Sequence, residues 1–246
     1  MVIYAVFIII VFGLLCFVKK DKYNIWDFIV IAVLVCFSGF RYRVGTDYAM
    51  YEKIYMNMDM IPATLFRTGI GYYYITGFLH KLISSTAVPM FFIISFLTNT
   101  LIYKFCKERS DNPGLSMFMY ICLGFYPESF NIFRQMLSLA LILYSYKFLE
   151  QKKYLKYIIF CILAISIHQS SIFIIGMIIV FNKIWRKKLN AKILLAIGVV
   201  MLLAYQAIYK FLITNIGFIS IYDNAEQYVA GIGTYLQVLI YGILFI

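Results

Sequence analysis

Long apolar tracts with hardly a charged residue recur along the whole of this 246-residue sequence. Each tract is close to the roughly 20 residues that an α-helix needs to cross a bilayer. Hydrophobic residues make up 63% of the chain and charged residues 13%, whereas soluble domains carry about 45–50% and about 25%. No polar segment of soluble-domain size interrupts the tracts. The sequence therefore predicts an all-α, polytopic integral membrane helical bundle that forms a single domain over residues 1–246.

The first apolar tract, Val2–Val18, lacks the features of a cleaved signal peptide. No positively charged segment precedes it, it has no small-residue cleavage site, and Lys19 and Lys20 follow it rather than precede it. We therefore expect a retained first span, with the N-terminus of the chain outside.

The basic residues determine the predicted orientation of the other spans. The net charge is +11, and most Lys and Arg residues lie in four short loops: Lys19–Lys22, Lys104–Arg109, Lys147–Lys156 and Lys183–Lys192. By the positive-inside rule these loops are cytoplasmic, so an even number of crossings separates each loop from the next. The positive charge thus indicates membrane orientation, and we expect no nucleic-acid partner.

This constraint predicts about eight complete spans and an incomplete ninth. The complete spans are Val2–Val18, Ile25–Phe40, Val88–Tyr103, Leu115–Tyr126, Ile132–Tyr146, the two legs of a hairpin over Tyr157–Asn182, and Ile193–Ile213. Residues 41–86 and 214–234 become external loops. Within the first loop, Gly69–Ile83 becomes an amphipathic or re-entrant helix on the outer surface, because a full span there would place Lys104–Arg109 outside. The last tract, Tyr235–Ile246, covers only about 18 Å, so we expect the chain to be truncated at its C-terminus.

The hairpin over Tyr157–Asn182 has only 26 residues for two crossings. Each half reaches about 20 Å, against about 30 Å of hydrocarbon. Its apex, His168–Ser171, is therefore expected below the outer surface, at the floor of a cavity. The alternative is one long tilted helix, which would place like-charged loops on opposite sides of the membrane.

Polar residues gather in three segments that this topology places outside. They are Arg41–Tyr48 with Tyr51 and Glu52, then Glu128–Gln135, then His168–Ser171. Arg41 and Arg43 are two residues apart, so on extended backbone both guanidinium groups would project to one face, and Gly45 permits a turn after them. Guanidinium groups bind phosphate oxygens in pairs of hydrogen bonds, which predicts a diphosphate ligand. Alternatively, both arginines anchor the end of a span or pair with Asp47.

The other two polar segments each contribute one candidate group. Arg134 begins a helix after a proline turn, and it either contacts the same anion or pairs with Glu128. His168 is a candidate proton acceptor or donor because the ordinary pKa of histidine is near neutrality, and its alternative role is that of a packing residue. The tyrosines that crowd the outer side are typical of an interfacial aromatic belt: Tyr42, Tyr48, Tyr51 and Tyr72–Tyr74.

Taken together, these segments resemble the EpsG family of membrane proteins, relatives of Wzy-type polysaccharide polymerases. Arg41-Tyr-Arg-Val-Gly-Thr-Asp-Tyr48, followed by Tyr51, is similar to the family's RxxxGTDYxxY signature. Asn131-Ile-Phe-Arg-Gln135 resembles its later segment with Arg beside Gln, and Ile167-His-Gln-Ser-Ser171 resembles its H-x-S hairpin segment. The order and spacing of the three segments agree with the family over roughly Tyr23–Lys188.

The resemblance implies a glycosyltransferase-type polymerase of surface polysaccharide (O-antigen, capsule or exopolysaccharide) in the bacterial inner, or cytoplasmic, membrane. Its substrate would be an undecaprenyl-diphosphate-linked oligosaccharide, which is transferred at the outer leaflet onto a sugar hydroxyl of the next lipid-linked repeat. A flippase and a chain-length regulator would be its partners, and no cofactor, nucleotide sugar or metal site is implied. Family members usually continue through further spans, in keeping with the expected truncation.

The functional residues of the family carry over onto the matching positions of this sequence. The resemblance implies a diphosphate site of Arg41, Arg43 and Arg134, and it implies that Asp47 or His168 deprotonates the acceptor hydroxyl. The remaining substrate-binding residues of the motifs are Gly45, Thr46, Tyr48, Tyr51 and Gln135. Two other classes stay open, namely a transporter or flippase of lipid-linked sugars and a membrane acyltransferase that modifies surface glycans.

Overall fold

The computed structural model describes residues 2–62 and 69–185, and this part of the chain contains helices but no strand. Its helices are α1 (Val2–Leu15), α2 (Ile25–Gly39), α3 (Tyr48–Met56), α4 (Ile70–Leu82), α5 (Val88–Arg109), α6 (Pro113–Cys122), α7 (Phe125–Glu128), α8 (Phe133–Glu150), α9 (Tyr154–Ile167) and α10 (Ser171–Trp185), with a 3-10 turn at Met58–Met60. The all-α prediction is confirmed for these residues. The predicted span Ile193–Ile213, the loop 214–234 and the tract Tyr235–Ile246 lie outside them.

The helices occupy the predicted apolar tracts, but most are shorter than a complete span. Within the described residues, α5 is the one helix that is both long and apolar enough to cross a membrane, with 22 residues. Four other apolar helices have 10–17 residues, namely α1, α2, α6 and α9. The prediction of one continuous leg over Leu115–Tyr126 is wrong, because Gly124 adopts a left-handed conformation with φ of 89° and separates α6 from α7. The count of eight spans stays a prediction.

Three of the four basic loops meet at one end of the bundle, which we call the basic end. Lys20 forms an ion pair with Asp111 at 2.5 Å, and Lys147 forms one with Glu108 at 2.8 Å. Arg109 at the end of α5 pairs with Glu150 at the end of α8. The prediction that these loops share one end is therefore confirmed. The side of the membrane that this end faces stays a prediction, and the fourth loop, Lys183–Lys192, lies largely outside the described residues.

A buried ion pair connects α2 to α5 at the basic end. The Asp27 carboxylate is fully buried, and it accepts hydrogen bonds from the Lys107 ammonium and the Tyr103 hydroxyl, both at 2.5 Å. The Lys107 ammonium also donates to the Lys19 carbonyl. Asn24 begins α2 by accepting from the backbone N–H of Asp27, whose carboxylate in turn accepts from the backbone N–H of Asn24. Nothing in the spacing of the sequence pointed to this pair.

The helices pack in a sequence that brings distant segments together. α5 packs against both α2 and α8, and α9 packs against α8. The turn that contains α7 is held against α2 by the Tyr126 hydroxyl, which donates to the Leu34 carbonyl at 2.7 Å. Residues 1–181 form one compact unit. The starts of α5 and α8 therefore lie at the same end as the end of α2, opposite the basic end.

Two predictions about individual segments can be compared directly with the helices. Gly69–Ile83 contains α4, whose buried residues Tyr72, Thr76 and His80 recur every four positions, so its amphipathic character is confirmed. Its location on the outer surface of a membrane stays a prediction. Tyr157–Asn182 is divided between α9 and α10 by a break at residues 168–170, so the alternative of one long helix is wrong, and the hairpin stays a prediction.

Candidate functional site

Arg41, just after α2, lies at the end of the bundle opposite the basic end. Its side chain is 94% buried, since its relative exposure is 6%. One terminal nitrogen, Nη1, donates to the Ser38 carbonyl at 2.6 Å, and the guanidinium lies 4.5–5.1 Å from three ring centroids: Phe91, Phe130 and Phe133. The other two nitrogens, Nε and Nη2, are buried and make no hydrogen bond. Burial lowers the pKa of Arg41 to about 10, so it is a cation at neutral pH.

Arg43 does not share this environment, and the prediction of an extended backbone that projects both arginines to one face is wrong. Arg43 has φ of 51°, in the left-handed region, and its side chain is exposed. Its guanidinium lies 5.3 Å from the ring of Tyr42, which is also exposed. The turn thus separates a buried cation from an exposed one two residues later.

Neither arginine pairs with Asp47 in the described part of the chain. Asp47 precedes α3 and is half-buried, and its carboxylate accepts from the Thr46 hydroxyl at 3.3 Å. The alternative that the arginines pair with Asp47 is therefore wrong. The other alternative is that the arginines anchor the end of a span. Arg41 agrees with it, because its side chain donates to the Ser38 carbonyl in the last turn of α2.

The turn at Gly45 and Thr46 is held by Asn131, which begins the second sequence motif, Asn131–Gln135. The Asn131 side-chain oxygen accepts from the backbone N–H of Thr46 at 2.9 Å. Gly45 has φ of 102°, and a Cβ atom on it would lie 2.8 Å from the Phe130 carbonyl oxygen. Only glycine fits such a close approach in this conformation. The first and second sequence motifs are therefore in direct contact, although 85 residues separate Thr46 from Asn131.

Three tyrosines form the wall beside Arg41, and the prediction that they belong to an interfacial belt is wrong for them. Tyr48, Tyr51 and Tyr72 have relative exposures of 4% or less. Tyr48 stacks on Phe91 with ring centroids 4.6 Å apart, and Tyr51 lies edge-on to Tyr72 at 6.0 Å. Burial raises the pKa of both Tyr48 and Tyr51, so their hydroxyls remain protonated donors at neutral pH.

Arg134, in the first turn of α8, contacts the same three-tyrosine wall. Its guanidinium lies 5.7 Å from the ring centroid of Tyr51 and 5.2 Å from that of Tyr72. Arg134 also interacts with Tyr51 strongly enough to oppose the rise in the pKa of that hydroxyl. Glu128, the alternative partner, is exposed, and Gln135 is half-buried next along α8.

His168 ends α9 and completes the group. Its ring is half-buried, and its Nδ1 atom is buried without a hydrogen-bond partner. Burial lowers the pKa of His168 below the ordinary 6.5, and the positive charge of Arg134 lowers it further. The imidazole is therefore neutral at pH 7. The turn after it is held to α8, because the Ser138 hydroxyl donates to the Ala164 carbonyl at 3.0 Å and contacts the Ser171 hydroxyl.

The site residues predicted from the sequence thus divide into a buried cluster and residues that adjoin it. Arg41, Tyr48, Tyr51, Arg134 and His168 form a continuous cluster, since Tyr51 interacts electrostatically with both arginines and His168 interacts with Arg134. Gly45, Thr46 and Asp47 form the adjoining turn, while Arg43 lies at the exposed margin. Across residues 2–62 and 69–185, no three potential metal ligands come together.

Comparison with known proteins identifies one relationship. The model of the EpsG family matches residues 24–246, a range that includes every residue of the cluster. Members of that family are membrane proteins that resemble Wzy-type polysaccharide polymerases. No curated protein and no solved structure matches the chain.

Proposed function

We propose a function from the premise that this chain belongs to the EpsG family, whose members have a polysaccharide polymerase-like role in surface polysaccharide biosynthesis. The proposed reaction is the polymerisation of undecaprenyl-diphosphate-linked oligosaccharide repeats. It takes place at the outer leaflet of the bacterial inner membrane, in a multi-pass protein whose N-terminus lies outside. O-antigen, capsule and exopolysaccharide are the product classes that fit, and a flippase and a chain-length regulator are the proposed partners.

The buried guanidinium of Arg41 is the observation that carries the proposal. It forms no ion pair with any described residue, and two of its nitrogens make no hydrogen bond. A buried charge without an ion-pair partner destabilises the fold by several kcal/mol. An anion that enters the site supplies that partner, which favours its binding. Guanidinium groups bind phosphate oxygens through paired, charge-assisted hydrogen bonds. A diphosphate supplies both the charge and the acceptor oxygens.

The same cluster supports the transfer step. Arg41 and Arg134 approach the aromatic wall from different helices, so both can stabilise the negative charge that develops as the lipid diphosphate leaves. The acceptor hydroxyl loses its proton, its oxygen forms the new glycosidic bond, and the bond from the donor sugar to the diphosphate breaks. His168 accepts the proton in this proposal, because its imidazole is neutral and its Nδ1 atom makes no hydrogen bond within the described residues. Asp47 is the alternative base, and Arg43 contacts the substrate at the exposed margin.

The other proposed substrate contacts lie on the same turn and wall. Gly45 and Thr46 keep the turn against Asn131, and Tyr48 and Tyr51 present protonated hydroxyls toward the arginines. Gln135 is proposed as a neighbouring contact on α8. These roles rest on the family motifs and on the proximity of the residues in the fold.

The test is the length of the polysaccharide made by cells that express full-length variants at equal levels. Arg41→Ala should abolish long polymer while single lipid-linked repeats persist, because the diphosphate loses its buried cation. Lys104→Ala serves as a matched control, because Lys104 is a basic residue at the opposite end of the bundle. Unchanged chain lengths in Arg41→Ala would contradict the proposal. Accumulation of lipid-linked repeats on the cytoplasmic leaflet would favour a flippase instead.

A further inference from the structure

An apolar groove between the start of α1 and the end of α2 is bordered by Arg41. Its volume is about 390 Å³, and its apolar lining comprises Ile3, Tyr4, Phe37, Phe40, Val44 and Phe130. Phe130 lies between the two ends of the groove, because its ring is 6.5 Å from that of Phe37 and 5.1 Å from the Arg41 guanidinium. The groove therefore has an apolar channel on one side and a buried cation at its head.

We propose that this groove holds the isoprenoid units nearest the diphosphate of the lipid carrier while Arg41 binds the diphosphate. The inference rests on the proposed function and adds to it the path of the lipid chain. From Cys36 to Phe40 the groove follows one turn of α2, about 6 Å at 1.5 Å per residue. That length accommodates the first part of a polyprenyl chain, and the remainder extends into the surrounding bilayer.

Charge and exposure both favour this occupant. No acidic residue lines the groove, and Arg41 is its one charged lining residue among those described. Arg41 borders the groove, and two of its guanidinium nitrogens are buried without a hydrogen-bond partner. Phe40 is 63% exposed and Ile3 is 72% exposed, which leaves apolar surface for a hydrocarbon chain. An amphiphile with an anionic head would pair its charge with Arg41 and bury its hydrocarbon chain against the apolar lining.

A second groove, between α2 and α5, offers an internal comparison. It is larger, about 770 Å³, and it is lined by apolar residues together with Asp27 and Lys104 at the basic end. The Asp27 charge is already neutralised by Lys107. This groove therefore has room for a lipid chain but lacks a buried guanidinium with unpaired donors. It serves as the control for general contact with lipid.

The experiment compares cross-linking from two phenylalanines of α2 and its C-terminal cap. Phe40 borders the α1–α2 groove, Phe28 borders the α2–α5 groove, and both are 63% exposed. Each is replaced in turn by p-benzoylphenylalanine in the full-length protein. The protein is reconstituted in vesicles of phosphatidylethanolamine and phosphatidylglycerol that contain radiolabelled undecaprenyl diphosphate, and illuminated.

The proposal predicts several-fold more label at position 40 than at position 28. Unlabelled undecaprenyl diphosphate should compete, while undecaprenol, which has no diphosphate, should not. Arg41→Met should reduce the label at position 40 by about tenfold or more, the loss expected when charge-assisted hydrogen bonds are removed. Arg41→Lys, which keeps the charge, should retain part of the label and shows that the site still folds.

Three results would overturn the proposal. They are equal label at the two positions, equal competition by undecaprenol, and cross-linking at position 40 to phospholipid alone. Its failure is distinguishable from failure of the polymerase proposal. If position 40 is labelled but Arg41→Ala makes polymer of normal length, the polymerase proposal is contradicted and the groove proposal is supported. If Arg41→Ala loses long polymer but positions 40 and 28 are labelled equally, the polymerase proposal is supported and the groove proposal is contradicted.

Discussion

Each end of the bundle buries a basic side chain, and the fold treats the two in different ways. At the basic end, Lys107 donates to the Asp27 carboxylate and the Lys19 carbonyl. At the opposite end, Arg41 donates to the Ser38 carbonyl, and its remaining nitrogens are buried against aromatic rings. The first cation is compensated within the chain, so it serves the fold. The second forms no ion pair with any described residue, and we propose that it binds an anion from outside the chain.

The largest effect that would test this comparison is expected at the compensated end. Asp27→Ala should lower the free energy of unfolding by about 3–5 kcal/mol, because it leaves the Lys107 charge buried and unpaired. Chemical unfolding in detergent micelles measures the change. Asp111→Ala is the control, because the Asp111–Lys20 pair is exposed to solvent. Equal losses in the two variants would show that the buried pair has no special role.

His168 provides the second test, which concerns activity at the other end. His168→Gln should lower the polymerisation rate by about 10²-fold or more, the usual contribution of a general base. The base is the neutral imidazole, whose pKa is lowered by burial and by Arg134. Wild-type activity should therefore persist below pH 6.5 and fall only as the pH drops through that lowered pKa.

The pH profile separates this role from a packing role for the histidine. His168→Gln should lose that fall in activity at low pH. His80→Gln changes the other histidine of the chain, which contacts Asp59 at 3.3 Å, and should keep the wild-type profile. An unaltered profile in His168→Gln would exclude this histidine as the base.

A smaller effect is expected where the first two motifs touch. Asn131→Ala removes the acceptor for the backbone N–H of Thr46 and should lower the free energy of unfolding by about 1 kcal/mol. The turn before α3 should also loosen, with shorter polymer as the result. Asn131→Asp keeps an acceptor oxygen and should lose less stability than Asn131→Ala, but its added negative charge near Asp47 should still shorten the polymer. If Asn131→Ala changes neither stability nor chain length, the contact has no role in the site.

The sequence predicted much of the fold because hydrophobic tracts and loop charges are local signals. Helices occupy the expected tracts, three basic loops share one end, and the helical structure breaks at His168 between α9 and α10. Helix ends were less accurate, as the left-handed Gly124 interrupts a predicted leg. A pattern of residue types does not determine where a single glycine leaves the helical conformation.

The sequence predicted which residues belong to the candidate site, but not how they are arranged in space. The motifs contained Arg41, Arg134 and His168, which the fold brings into one cluster. They did not reveal that Arg43 turns outward on a left-handed backbone, nor that Tyr48 and Tyr51 are buried rather than interfacial. The pairing of Asp27 with Lys107 was also missed, because it links residues 80 positions apart. Such features depend on long-range packing, which the spacing of residues along the chain does not record.

Ligand-induced stabilisation tests directly whether Arg41 binds an anionic diphosphate. We would measure the unfolding midpoint of the full-length protein and its Arg41→Met variant, with and without undecaprenyl diphosphate. Without ligand, Arg41→Met should be as stable as the wild type or more stable, because it removes an unpaired buried charge. At about 100 times its dissociation constant, the ligand should stabilise the wild type by about 2.7 kcal/mol and the variant far less. An equal shift in both proteins would contradict binding of the diphosphate by Arg41.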